Sequence, residues 1–235
     1  MLAAAAALAL GAASAAHASL LYYGGDFDPT NPNANALANE IDTLVPSGAA
    51  TYDNFTVPSG TWHVTGLFTN NLTDLGSSIT SANWEIRTGL SEGNGGTLLF
   101  SGSATPVVTP TGRSGFGRGE FTVEVPVSFN LGPGTYWVSV LPVAVNSGTG
   151  RSFESNTFGL NAVGIHTLND DFFNSAFFGA NFTNANNEGV FPTFSSGVLG
   201  VTSTVPEPTT WAMLILGVAM IGFAVRRREG TAAAA

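Results

Sequence analysis

Phe121-Thr122-Val123-Glu124-Val125-Pro126-Val127-Ser128-Phe129-Asn130 decides the fold. Phe121, Val123, Val125, Val127 and Phe129 recur at every second position, and Thr122, Glu124, Ser128 and Asn130 fill the alternate ones. That period is a strand with one apolar and one polar face. Pro126 has no N–H to give to a ladder, so the strand is expected at a sheet edge or bulged there.

The same alternation recurs on both sides of this stretch. Trp62, Val64, Gly66 and Phe68 alternate with Thr61, His63 and Thr65; Ala82, Trp84 and Ile86 with Asn83, Glu85 and Arg87; Tyr136, Val138 and Val140 with Trp137, Ser139 and Leu141. Pro58-Ser59-Gly60, Gly93-Asn94-Gly95-Gly96 and Gly132-Pro133-Gly134 are turn sequences between such runs. Roughly nine strands joined this way predict an all-β fold, an antiparallel β-sandwich of jelly-roll-like form, over residues 19–204. One short helix is expected over Asn33–Leu44, with Ala34, Leu37 and Ile41 on one side. The segment Asn169–Asn187, with its Phe172-Phe173 and Phe177-Phe178 pairs, is expected to pack on the sandwich as a long loop.

Composition narrows the partners. The 235-residue chain has no cysteine and no lysine. A disulfide framework, a thiolate metal site and a cysteine nucleophile are excluded. Residues 19–204 hold four arginines (Arg87, Arg113, Arg118, Arg151) against fourteen acidic residues, a net of −10. A phosphate backbone would be repelled, so nucleic acid is not expected as a partner.

Both ends read as targeting segments. Residues 1–18 (MLAAAAALALGAASAAHA) form a signal peptide, with an apolar run from Leu2 to Ala13 and the small-x-small pattern Ala16-His17-Ala18, cut before Ser19. At the other end Val205-Pro206-Glu207-Pro208 is an extended, proline-stiffened lead-in. Trp211 sits where an interfacial aromatic belongs, and an uncharged run continues to Val225. Arg226, Arg227 and Arg228 follow and stay on the cytoplasmic side. The expected transmembrane helix, 209–225, would span roughly 25 Å at ~1.5 Å per residue, short of a ~30 Å hydrocarbon core. A marginal anchor suits a temporary one. Residues 229–235 form a short tail.

The segment from Val205 to Arg228 resembles the PEP-CTERM sorting signal of Gram-negative bacteria. Pro206, Glu207 and Pro208 match the name-giving motif, and Trp211, Gly217, Gly222 and the three arginines fall where that family places similar residues. The resemblance implies recognition by an exosortase, a membrane-embedded cysteine transpeptidase. It implies delivery across the inner membrane by the export machinery and signal peptidase, with transient anchoring there. The protein would then reach the cell surface or the extracellular space, in association with exopolysaccharide or biofilm matrix. Two phrases resemble exported β-sandwich modules more loosely: Asp53-Asn54-Phe55-Thr56-Val57, and Gly134-Thr135-Tyr136-Trp137-Val138-Ser139-Val140. They support the fold and carry no function.

No catalytic constellation stands out in the middle of the chain. His63 and His166 have no metal-ligand spacing, and no G-x-S-x-G elbow or P-loop lysine occurs. Glu85, Glu120 and Glu124 could serve a hydrolase only if they met in one cleft. Asp26-Phe27-Asp28 is a candidate Ca2+ pair, to which Asp53 or Asp170-Asp171 could add oxygens. Trp62, Trp84 and Trp137 are candidate sugar-stacking rings, with Trp137 and its neighbour Tyr136 foremost. No other cofactor is expected. The expected function is a non-catalytic binding or structural module at the cell surface; the alternative is a secreted hydrolase acting on glycans.

Overall fold

The computed structural model describes residues 18–203 and 215–219. The chain divides into two compact units, Met1–Thr202 and Ser203–Ala235. In the first, the strands run in chain order as β1 (Ser19–Tyr23), β2 (Ala36–Ala38), β3 (Ala50–Val57), β4 (Thr61–Thr73), β5 (Ser81–Thr88), β6 (Thr97–Ala104) and β7 (Val107–Gly115). They continue as β8 (Arg118–Leu131), β9 (Gly134–Val143), β10 (Ser152–Thr157), β11 (Phe172–Ser175), β12 (Ala180–Asn184), β13 (Thr193–Phe194) and β14 (Ser196–Ser203). Two 3-10 turns, Gly76–Ser78 and Ala185–Glu188, are the only helical pieces described in this unit.

Two antiparallel sheets result. One has eight strands, ordered β1-β14-β4-β10-β13, with β8 beside β4, β7 beside β8, and β2 beside β10. The other has six, ordered β12-β11-β3-β9-β5-β6. Their facing sides enclose the main core. Trp62, Val64 and Leu67 from β4 and Val123, Val125, Phe129 and Leu131 from β8 meet Phe55 and Val57 of β3, Ile86 of β5, and Val138 and Val140 of β9. Phe55 and Trp62 stack across the sheets with ring centroids 5.9 Å apart and planes 8° apart. This is the sandwich the alternation predicts.

Pro126 behaves as expected. The β4–β8 register shifts between Val64, opposite Phe129, and Gly66, opposite Pro126. The β7 pairing ends at Glu124, so the strand runs on past its neighbour toward Pro126. The bulge has a consequence the sequence pattern hid. The core face of β4 passes from Val64 to Leu67, and Phe68 leaves it to pack on Tyr23 with centroids 5.6 Å apart.

The helix expected over Asn33–Leu44 does not form. Ala36–Ala38 is a strand paired with β10 through Ala38 opposite Phe153. Asn31 and Asn35 turn their side-chain oxygens back onto the Asn33 and Ala36 N–H groups, each at 2.9 Å. Such local bonds compete with a helical turn. Glu40 then points inward to meet Arg151. The segment Asn169–Asn187 is more regular than a loop: β11 and β12 form a hairpin that extends the six-stranded sheet. Phe172 and Phe173 are buried, while Phe177 and Phe178 are 54% and 48% exposed.

Candidate functional site

Buried polar side chains accompany the apolar core. Asp53, Asn54, Asn70, Asn71, Glu120, Glu154, Ser155, Asn156, Asp171 and Ser195 are all buried. A cysteine-free domain is tied here by side-chain hydrogen bonds. Asp53 accepts from Tyr22 and from Thr193, each at 2.9 Å. Asp171 Oδ1 accepts from the Asn54 backbone at 3.0 Å and from its amide at 2.9 Å. Glu154 accepts from Thr51 and Ser196. Glu120 takes Ser155 at 2.6 Å and the Arg113 guanidinium. Among the described residues, none of the hydrogen-bond partners of Asp53, Asp171 or Glu154 is a cation. Burial pushes Glu154 and Asp171 up to about 7, and burial together with the charge of Asp171 pushes Asp53 well above the carboxylate range.

The candidate Ca2+ pair is not assembled. Asp26 is engaged by Tyr23 Oη at 2.7 Å, by Asn161 Nδ2 at 2.7 Å and by Arg113 Nη1 at 2.7 Å. Asp28 closes a local turn onto the N–H and hydroxyl of Thr30 at 2.9 and 2.6 Å. Asp53 and Asp171 lie in the interior network instead. Among the described residues no three carboxylate or imidazole groups converge in a way that could hold a metal ion. The donor set at Asp26 does not fit calcium, because a guanidinium already occupies its carboxylate.

The stacking candidates also divide. Trp137 is 5% exposed and donates its indole N–H to the Asp170 carbonyl at 2.8 Å, so its ring is not open to a sugar. The reason lies in β9, which is covered on both sides: Val138 and Val140 face the main core, and Trp137 sits in a second cluster with Tyr52, Leu90 and Phe172. Tyr136 is half-buried against Phe55, with its hydroxyl donating to the Gly132 carbonyl at 3.0 Å. Glu120 is buried and Glu85 lies on the opposite sheet, so the carboxylates considered for hydrolysis do not share a cleft.

What the structure does build is a groove of about 530 Å³ on the outer face of the six-stranded sheet. Its floor is Ala50, Tyr52, Glu85 and Leu141, and it is bounded by Ser47-Gly48 and by the β11–β12 hairpin from Asn174 to Asn181. Glu85 accepts from Tyr52 Oη at 3.1 Å and from Arg87 Nε at 2.6 Å, and Arg87 also lies over the Phe182 ring at 5.2 Å. Among the groove's described lining residues Glu85 is the single carboxylate, and Arg87 neutralises it. Amides, hydroxyls and methyl groups make up the rest, a surface suited to hydrogen-bonding a hydroxylated ligand. Sequence reasoning missed this groove because its parts come from four separated segments.

Of the sorting residues, Gly217 lies in the described stretch 215–219, which is helical. Pro206, Glu207, Pro208, Trp211, Gly222, Arg226, Arg227 and Arg228 lie outside the described residues, as does Ala16. Ala18 is exposed, and β1 begins at Ser19. Among the described residues no helix is long and apolar enough to cross a membrane; the expected span 209–225 falls mostly outside them.

Residues 204–228 match the PEP-CTERM protein-sorting motif. The match implies processing by an exosortase, with export and membrane anchoring before that step, as in Gram-negative bacteria. No curated protein and no solved structure matches the chain.

Proposed function

We propose that this protein is a non-catalytic binding or structural module, delivered to the cell surface or extracellular space in association with exopolysaccharide. The observation that carries the delivery half is the PEP-CTERM motif at residues 204–228. The signal peptide over 1–18 and the helix over 209–225 belong to the same reading. Two features support the binding half. The interior carboxylates are consumed in holding the sheets together, and the groove over Tyr52 and Glu85 offers amides, hydroxyls and one neutralised acid. A retaining or inverting glycosidase needs two carboxyl groups roughly 5–10 Å apart across one bond, and the groove's described lining supplies one.

Mass spectrometry of the mature protein, from cells with and without the exosortase, tests the delivery. A C-terminus shortened near Pro206-Glu207-Pro208 only when the enzyme is present is the expected result; an intact C-terminus in the wild type overturns it. Co-sedimentation with the producer's own exopolysaccharide tests the binding, with Glu85→Gln and Asn174→Ala as groove variants. Retention that both variants weaken supports the groove, and no retention at millimolar sugar leaves a structural role.

A further inference from the structure

The hairpin of β7 and β8 turns at Phe116 and Gly117, between the paired residues Gly115 and Arg118. Both turn residues are left-handed, with φ of +53° and +76°. Glycine, asparagine or aspartate ordinarily fills the first of these positions, because a larger L side chain crowds its own backbone there. Phe116 takes it all the same. Its ring is 61% exposed and meets Phe27 in a tilted contact with centroids 6.4 Å apart. Packing that loose does not offset the strain. A strained turn that holds an aromatic ring out to water points to a role outside the fold.

That ring lines a pocket of about 150 Å³ together with Asn35, Ala36, Leu72, Arg118 and Phe153. Leu72 and Phe153 lie opposite each other on β4 and β10. The next residue, Glu154, turns inward to Thr51 of β3, so Phe153 faces outward. The pocket therefore lies on the outer side of the eight-stranded sheet, apart from the groove over Glu85. Arg118 is the charged group among its described lining residues. The guanidinium lies over the Phe153 ring at 5.1 Å, which holds it in place. Arg87, Arg113 and Arg151 each donate to a carboxylate within hydrogen-bond reach. Arg118 does not. Its Nε is 3.7 Å from the Asp74 carboxylate and, though buried, has no hydrogen-bond partner among the described residues.

We propose that this pocket binds a hexuronic acid, a single sugar ring bearing one carboxylate. Arg118 supplies the cation, and a guanidinium takes a carboxylate through parallel N–H groups. Phe116 supplies an apolar surface for the C–H face of the sugar ring. The exposure of Phe116 leaves that side of the pocket open to water, so the ring hydroxyls stay solvated. An aromatic acid has no hydroxyls to place there and gains less from an open site. One cation matches one negative charge, and the net charge of −10 over residues 19–204 repels a ligand more densely charged. The small volume fits one ring, so the sugar is a chain end or a branch. The site does not rest on the groove over Glu85, and it stands if that groove binds nothing.

The test is a saturation-transfer NMR titration of the full chain in detergent with D-glucuronate, glucose and benzoate. Glucuronate should bind saturably, with glucose and benzoate each weaker by at least about tenfold. Arg118→Gln removes the charge and should weaken glucuronate at least about tenfold. Phe116→Gly should weaken it about fivefold or more. The same variant should keep or raise the urea midpoint, because glycine adopts the left-handed turn without strain. A merely structural Phe116 would do the reverse, lowering the midpoint and leaving binding alone. Glucuronate no tighter than glucose, benzoate as tight as glucuronate, binding unmoved by either variant, or a lowered midpoint for Phe116→Gly each overturns the proposal.

Discussion

The hydroxyl of Tyr22 donates to Oδ2 of Asp53 at 2.9 Å, joining β1 of the eight-stranded sheet to β3 of the six-stranded one. Both residues are completely buried. Thr193 holds the other Asp53 oxygen from the far side. The bond therefore ties the first strand of the domain to its interior. Removing it with Tyr22→Phe leaves a buried acceptor short of a donor and keeps the ring stacked on Phe55. The expected cost is about 1–3 kcal/mol, read as a lower urea midpoint with an unchanged slope.

Stability should fall as pH rises from about 4 to about 7. Glu154 and Asp171 are pushed up to about 7 by burial, and Asp53 is raised with them. Each ordinarily titrates near 4 in an unfolded chain. Between those values the folded state binds more protons than the unfolded state, so protons favour folding and their loss opposes it. Thermal melts across that range should show the highest midpoint at the acidic end. Glu154→Gln should flatten the slope and raise the midpoint at pH 8 relative to the parent protein.

Arg113 bridges the buried Glu120 and the half-buried Asp26. Arg113→Ala strips the guanidinium from Glu120, whose side chain is fully enclosed. A loss of roughly 2–4 kcal/mol is expected, at the lower end if water reaches the vacated site through the partly exposed guanidinium position. Adding Glu120→Gln to Arg113→Ala should recover part of that loss, because a neutral amide tolerates burial better than an orphaned charge. Equilibrium denaturation of the two variants side by side makes the comparison.

Gly24→Ala should be among the most damaging small substitutions in the domain. A methyl group there would lie 2.0 Å from the backbone oxygen of Phe194, which cannot rotate away, and 3.3 Å from the Asp53 carboxylate. The expected penalty exceeds about 2 kcal/mol. Gly112→Ala, at an open turn with nothing within 4 Å, serves as the control, its cost limited to the strain of a positive φ.

The parts legible in advance were those that depend on local period and on contiguous motif. Alternation in Phe121–Asn130 located a strand, and Pro126 located its irregularity, because both follow from backbone geometry alone. The same rule failed one strand away. Gly66 carries no side chain to betray a face change, so the bulge that exchanges Leu67 for Phe68 was invisible. Asn33–Leu44 failed for a related reason: its apolar spacing fits a helix, but Ala38 pairs with Phe153, more than a hundred residues on. Asp26 looked like half of a metal site until Arg113, distant in sequence, took its carboxylate.

From the sequence alone came the class of architecture, the absence of any disulfide, the acidic character and the sorting motif at 204–228, since each is a property of neighbouring residues or of composition. Tertiary structure decided the rest. It chose which face of each strand is buried, made Trp137 a core residue, and gathered Asp53, Glu154 and Asp171 into one interior from three separate strands or their flanks. It opened the groove over Glu85. The reason is physical. A side chain's environment is set by strand pairings between residues far apart in the chain, and no local pattern encodes which of two plausible faces a partner will cover.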